Sequence, residues 1–208
     1  MTELDDALLS ARMRSLAAFA PDYFHDLKGP LNTIALRLEV LRAVAAGDAG
    51  EDRRRASMTA IEEQIRRLDR MLQGWLAYTA PGDGAEAVCD LGALVRDIAT
   101  VVAPRARKRQ LTFTVEVPDD AVSARIVEAA LTTALLDLVR HAMTGLAEGG
   151  ALGLRVERQG ATACCRVTGA AFDAGSTALA ARVAGGARGT CVADQSGQAA
   201  ILAFPVAG

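Results

Sequence analysis

Apolar residues recur every three or four positions along the first 80 residues: Met13, Leu16, Ala20, Phe24, Leu27, Leu31, Ile34, Leu38 and Leu41 in one run, then Met58, Ile61, Ile65, Leu68, Leu72 and Trp75 in a second. That period belongs to the α-helix. Residues 45–52, rich in Ala, Gly and Asp, supply a turn between the runs, so the spacing predicts a helical hairpin with one continuous apolar seam. A lone hairpin leaves such a seam wet. Either a second copy covers it, giving a four-helix bundle about a two-fold axis, or the rest of the chain does; the expectation carried forward is the homodimer.

Charge says little about partners. The chain of 208 residues has a formal net charge of -2. Residues 1–80 carry 11 basic and 12 acidic residues and the remainder 12 and 13, so neither half is a basic module and nucleic acid and anionic membranes are not expected partners. No apolar run reaches the roughly 18 to 20 residues of a membrane span, and the first residues lack the pattern of a signal peptide. Cys89, Cys164, Cys165 and Cys191 have no metal-ligand spacing and read as small core residues of a reduced, cytoplasmic protein.

Pro and Gly cluster near residues 79–84, which divides the chain into a helical hairpin at 1–80, a linker at 81–89 and a second unit at 90–208. The second unit reads as helix 91–102, strand 111–117, long helix 123–146, a hairpin of strands 151–157 and 162–167, helix 177–183 and closing strands 190–193 and 199–204. The order αβαββαββ implies a mixed sheet with helices on one face. The fold class expected is therefore α+β, a helical hairpin followed by an α/β sandwich.

Within the first apolar run lies His25-Asp26-Leu27-Lys28-Gly29-Pro30. His25 follows Phe24 by about 100° of helix rotation, which sets its ring on the flank of the stripe. An imidazole is neutral near pH 7, nucleophilic, and able to release a group that it has accepted. Asp26 is placed either to orient the ring by holding its second nitrogen or to act as a base, and Lys28 to attract a phosphoryl group or an acidic partner surface. Pro30 withholds a helical hydrogen bond and should bend the helix below His25; Pro21 either kinks the helix or ends a shorter one.

Taken with the hairpin and the αβαββαββ order, this run resembles the phospho-acceptor box of the sensor histidine kinases, and the resemblance covers nearly the whole chain. It implies a dimerisation and phosphotransfer domain followed by a kinase-type ATPase domain. The second half departs from that pattern. Where the family's long helix carries two asparagines that hold magnesium and phosphates, this chain has Asp137 and His141. Where an aspartate would accept from the adenine amine it has Gly169, with Asp173 displaced by four residues. The stretch from Asp173 to Gly189 is short for an ATP lid, and Gly185, Gly186 and Gly189 suit a helix end and strand entry.

A phospho-acceptor box joined to a degenerate ATPase domain is similar to the dimeric histidine phosphotransferases. That resemblance implies relay of a phosphoryl group through His25, with Asp26 and Lys28 assisting, between response-regulator receiver domains, and extends the partners to a hybrid histidine kinase. No cofactor is expected on this chain, magnesium belonging to the receiver. Gly29 stands where phosphatase-competent relatives carry Asn or Thr. An atypical ATP-dependent kinase using Asp137, His141 or Asp173, and a non-catalytic pseudokinase that titrates a receiver or kinase, are the alternatives. His141 reads as a hydrogen-bonded remnant, Arg66, Arg67 and Arg70 as solvated faces or partner-docking charges, and Trp75 and Tyr78 as packing residues.

Overall fold

The computed structural model describes residues 2–45, 50–79 and 84–207. The middle of the turn expected at 45–52 and the start of the linker expected at 81–89 lie outside the described residues. The two apolar runs form α1 (Glu3–Ala45) and α2 (Glu51–Thr79). Acidic residues open both helices, Glu3, Asp5 and Asp6 in one and Glu51 and Asp52 in the other, where they meet the positive end of the helix dipole. Pro21 and Pro30 both lie inside α1, which does not end at either. Each withholds only one N–H from the helical ladder.

The face that α1 buries differs from the seam read in the sequence. Ala11, Ser15, Phe19 and Tyr23 are sealed, a row one residue or about 100° behind Leu16, Ala20 and Phe24. This row packs on α2 and on α3 and α4 of the second half. The predicted seam stays largely outside, with Leu31 53% and Ile65 54% exposed.

α3 (Leu91–Lys108) begins at Asp90, whose carboxylate accepts from the N–H groups of Gly92 at 2.8 Å and Ala93 at 3.2 Å. Its buried face is Leu91, Leu94, Val95, Ile98, Val101 and Val102. The helix continues past its expected end at 102, through the buried Pro104, and closes on Arg105, Arg107 and Lys108, which suit the negative end of the dipole.

A second difference concerns the long helix, α4 (Glu128–Gly145), which starts at Glu128 rather than at 123. Residues 123–126 are instead strand β3 (Ser123–Ile126), paired antiparallel with β1 (Ala87–Asp90), a segment read as linker. Ala124 and Ile126 face inward on alternate positions, the period of a strand.

Among the described residues the main sheet has five strands in the order β2-β4-β5-β7-β6. β2 (Thr112–Glu116) runs parallel to β4 (Ala151–Gln159), and β5 (Thr162–Thr168), β7 (Ala199–Pro205) and β6 (Thr190–Ala193) follow antiparallel. Leu152, Leu154, Cys165, Val167, Leu202 and Phe204 turn from the sheet into a core shared with α3 and α4, each large apolar side chain contributing roughly 1.5–3 kcal/mol on burial. α5 (Ala174–Gly186) connects β5 to β6. The mixed sheet with helices laid on it matches the expected class, and no helix of the described residues is long and apolar enough to cross a membrane.

Candidate functional site

Two turns of α1 are locked to α2 around the histidine. The Tyr23 ring is sealed, stacks on Trp75 at 5.0 Å, and its hydroxyl donates to the carbonyl of Met71. Phe24 meets Trp75 edge-on at 5.2 Å. With residue 23 fixed inward, helical rotation carries residue 25 outward, and the His25 side chain is 79% exposed.

Asp26 lies beside that ring. Its Oδ1 lies 3.8 Å from His25 Nδ1, and its other oxygen accepts from the Arg107 guanidinium of α3. The end of α3 is pinned on both sides of Arg107. Arg105 donates to the Ala18 carbonyl at 2.6 Å and to the Asp22 carboxylate at 3.2 Å, and Lys108 donates to the other Asp22 oxygen at 2.6 Å. Asp22 is 5% exposed, so this ion cluster is a polar joint between α1 and the end of α3.

Two open clefts flank His25. One, about 490 Å³, runs between Pro21 and His25 on α1 and Pro104 and Arg107 on α3. The other, about 580 Å³, lies between Gly29 and Thr33 on α1 and Gln64 and Arg67 on α2, and again reaches His25, Asp26 and Arg107. A Cβ added at Gly29 would meet nothing within 4 Å, so this part of the second cleft is open space.

At the other end of the second half, the positions of interest each have a local partner. Asp137 pairs with Arg140 at 2.8 Å on its own helix and with Arg14 of α1 at 3.5 Å. His141 Nε2 lies 3.1 Å from the Ala171 carbonyl and its ring is 5.6 Å from that of Phe172. Asp173 caps α5, accepting from the Ser176 N–H at 2.8 Å, and this hydrogen bonding holds its carboxyl below the usual range. A Cβ on Gly169 would stand 2.8 Å from that of Ala142, and one on Gly145 2.5 Å from that of Ala170. α4 and the chain leaving β5 are therefore in direct contact.

No family model matches the chain. Sensor histidine kinase AruS of Pseudomonas aeruginosa is 31% identical to it over 147 residues, 70% of this chain and 14% of that protein. Adaptive-response sensory kinase SasA of Synechococcus sp. (strain JA-3-3Ab) is 24% identical over 137 residues, 64% of this chain and 36% of that protein. Among solved structures, histidine kinase ThkA in complex with response regulator protein TrrA aligns over 94% of this chain and 63% of that one, with a TM-score of 0.51 and 15% identity. The cytoplasmic segment of histidine kinase QseC aligns over 69% and 95%, with a TM-score of 0.50 and 12% identity. These two likenesses are of fold. The chain is histidine-kinase-like. It spans about a third or less of the length of the curated relatives it matches.

In histidine-kinase-like terms, His25 and Asp26 come together on one flank of α1, whereas Lys28 is exposed and lines neither cleft. The sequence reading missed Arg107. With the helix expected to end at 102, the basic residues 105–109 fall in the connection to the strand at 111–117, and the approach of Arg107 to residue 26 is a tertiary fact. Trp75 and Tyr78 are packing residues as expected, Tyr78 being buried with its hydroxyl donating to the Arg12 carbonyl at 3.2 Å.

Proposed function

We propose that this histidine-kinase-like chain is a histidine phosphotransferase, relaying a phosphoryl group through His25 between response-regulator receiver domains without using ATP. The observation that carries the reading is the exposed His25 ring with Asp26 at its Nδ1 side and open clefts on both flanks. Asp26 favours the tautomer with the proton on Nδ1, which leaves the Nε2 lone pair for attack. The Nε2–P bond forms as the P–O bond to a receiver aspartate breaks, and the electron pair leaves with that carboxylate. Transfer to a second receiver reverses the step. Such a reaction is mostly positioning and charge stabilisation, and magnesium is expected on the receiver.

The part of the reading that excludes ATP rests on the local partners of Asp137, His141 and Asp173, the side chains that an atypical kinase would need. Phe172, 5% exposed, packs against His141, so that ring is already partnered. We assign 1–80 to dimerisation and phosphotransfer and 90–208 to an ATPase-like unit. The apolar residues left outside, among them Leu31, Ile65 and Leu72, are the surface on which a second copy completes a four-helix bundle. That ThkA is seen with response regulator TrrA supports receiver domains as the partners, and the compartment proposed for the exchange is the cytoplasm.

Incubation with labelled phospho-receivers, with labelled ATP as a parallel donor, tests this. Label is expected to pass from a receiver to wild-type protein and not to His25→Ala, and ATP is expected to leave the protein unlabelled. Self-labelling from ATP would replace the relay with a kinase.

A further inference from the structure

We infer that Arg107, contributed by the ATPase-like half, is the residue that binds the phosphoryl group while His25 carries it. The inference rests on the proposed relay and names a part of its site that the phospho-acceptor run itself does not contain. Its basis is placement. Besides His25 and Asp26, Arg107 alone lines both of the clefts beside the ring.

Charge requires a cation there. A phosphorylated imidazole would put close to two negative charges beside the Asp26 carboxylate, and carboxylate and phosphoryl oxygens repel unless a cation lies between them. Lys28 is in neither cleft, Arg67 lines only the second, and Lys108 lines only the first and is paired with Asp22 at 2.6 Å. Arg107 already pairs with Asp26, and its planar guanidinium has donors in a fork that suits phosphoryl oxygens as well as carboxylates. Moving from Asp26 to the phosphoryl group asks only for side-chain rotation, since the guanidinium side chain is 62% exposed.

The backbone under Arg107 is held while its side chain, paired with Asp26, stays largely exposed. Arg105 and Lys108 grip Asp22 and Ala18, three to seven residues before His25 on the same helix, so the end of α3 keeps its register relative to the imidazole. This gives the ATPase-like half a role in the transfer that needs no nucleotide. It presents one guanidinium to the phosphohistidine.

The test uses the full chain and phosphoramidate as phosphodonor, so that no receiver is needed. The P–N bond of phosphoramidate breaks, its nitrogen leaves as ammonia, and the Nε2–P bond to His25 forms. The rate of His25 labelling and the ³¹P titration of the phosphohistidine are followed in wild type, Arg107→Ala and Arg107→Lys, with His25→Ala assigning the resonance against His141. Arg107→Ala is expected to slow labelling about tenfold, the loss of one charge-assisted contact. It should also raise the pH at which the phosphoryl group takes up its proton. Arg107→Lys, which keeps the charge and loses the fork, is expected between the two. An Arg107→Ala protein that labels and titrates like wild type overturns the assignment, as does an Arg107→Lys protein that loses as much as Arg107→Ala. Normal labelling and normal Arg107 dependence without any exchange with receivers would sink the relay and leave the contact standing. No labelling of His25 at all overturns both.

Discussion

Lys108 Nζ lies 2.6 Å from Oδ1 of Asp22, closing the polar joint through which α3 grips α1 one turn ahead of His25. Asp22 is 5% exposed, whereas the side chains of Arg105 and Lys108 are 33% and 71% exposed. Solvent therefore screens the cations, and the joint is worth less than a fully buried ion pair. Asp22→Ala is expected to cost about 1–3 kcal/mol, between the exposed and buried limits, read as a lower denaturation midpoint with an unchanged helical spectrum. Labelling of His25 should slow as well, because Arg107 sits between the two residues released.

Alkaline pH should loosen the fold. Burial pushes the Cys89 and Cys165 thiols up to about 12 and Cys191 up to about 11, and the Tyr23 and Tyr78 hydroxyls up to about 12. These groups are neutral when protonated. In the unfolded chain they release protons near their ordinary values of 9.0 for the thiols and 10.0 for the tyrosines, so above these the unfolded state binds fewer protons and stability falls with rising pH. The contribution is complete below about pH 9 and lost between about pH 9 and 12. Urea midpoints should decline across that window, and Tyr23→Phe should make the decline shallower. A midpoint that does not fall below its neutral value by pH 11 would contradict the burial of these groups.

What could be read from the sequence was what is local and long. α1 and α2 repeat their period over many turns, and His25 and Asp26 are neighbours in the chain. β1 and β3 are short, and the alternation of Ala124 and Ile126 is too brief to separate from the start of α4. α3 is expected to end at 102, yet it runs on through Pro104, which lies buried inside the helix. The buried face of α1 lies one residue from the expected seam, since Ala11, Ser15 and Asp22 share it with Phe19 and Tyr23, and the small and polar members break the apolar period there. The Asp26–Arg107 contact joins residues 81 positions apart, and no local pattern announces it.

Restoring the carboxylate that nucleotide-binding relatives are expected to use for adenine should fail on steric grounds. The first side-chain atom of Gly169→Asp would stand 2.8 Å from the Ala142 Cβ and 3.5 Å from Leu146 Cδ1. Overpacking of this kind costs about 1–3 kcal/mol. The variant is expected to melt lower than wild type and still give no ATP signal in calorimetry. Adding Ala142→Gly should recover part of the lost stability, since it removes the atom that is struck. Recovery of ATP binding in Gly169→Asp alone would show that the chain leaving β5 moves away from α4 more easily than this contact allows.

The apolar residues outside the single chain set the last expectation. Leu31 and Ile65 lie on α1 and α2 with about half their surface exposed. In a chain that works alone, Leu31→Glu or Ile65→Glu should change stability by no more than about 0.5 kcal/mol. In a four-helix bundle the same change buries an unpaired carboxylate in a seam, and the assembly should come apart. Sedimentation is expected to give twice the chain mass for wild type and the chain mass for the glutamate variants. Stability of the wild type should rise with protein concentration, and that of the variants should not. Ala11→Glu is the contrasting change. Ala11 is sealed within the chain, so its replacement should lower the unfolding midpoint at every concentration. Wild-type protein sedimenting at the chain mass would leave Leu31 and Ile65 as solvated surface and remove the bundle from the account of His25.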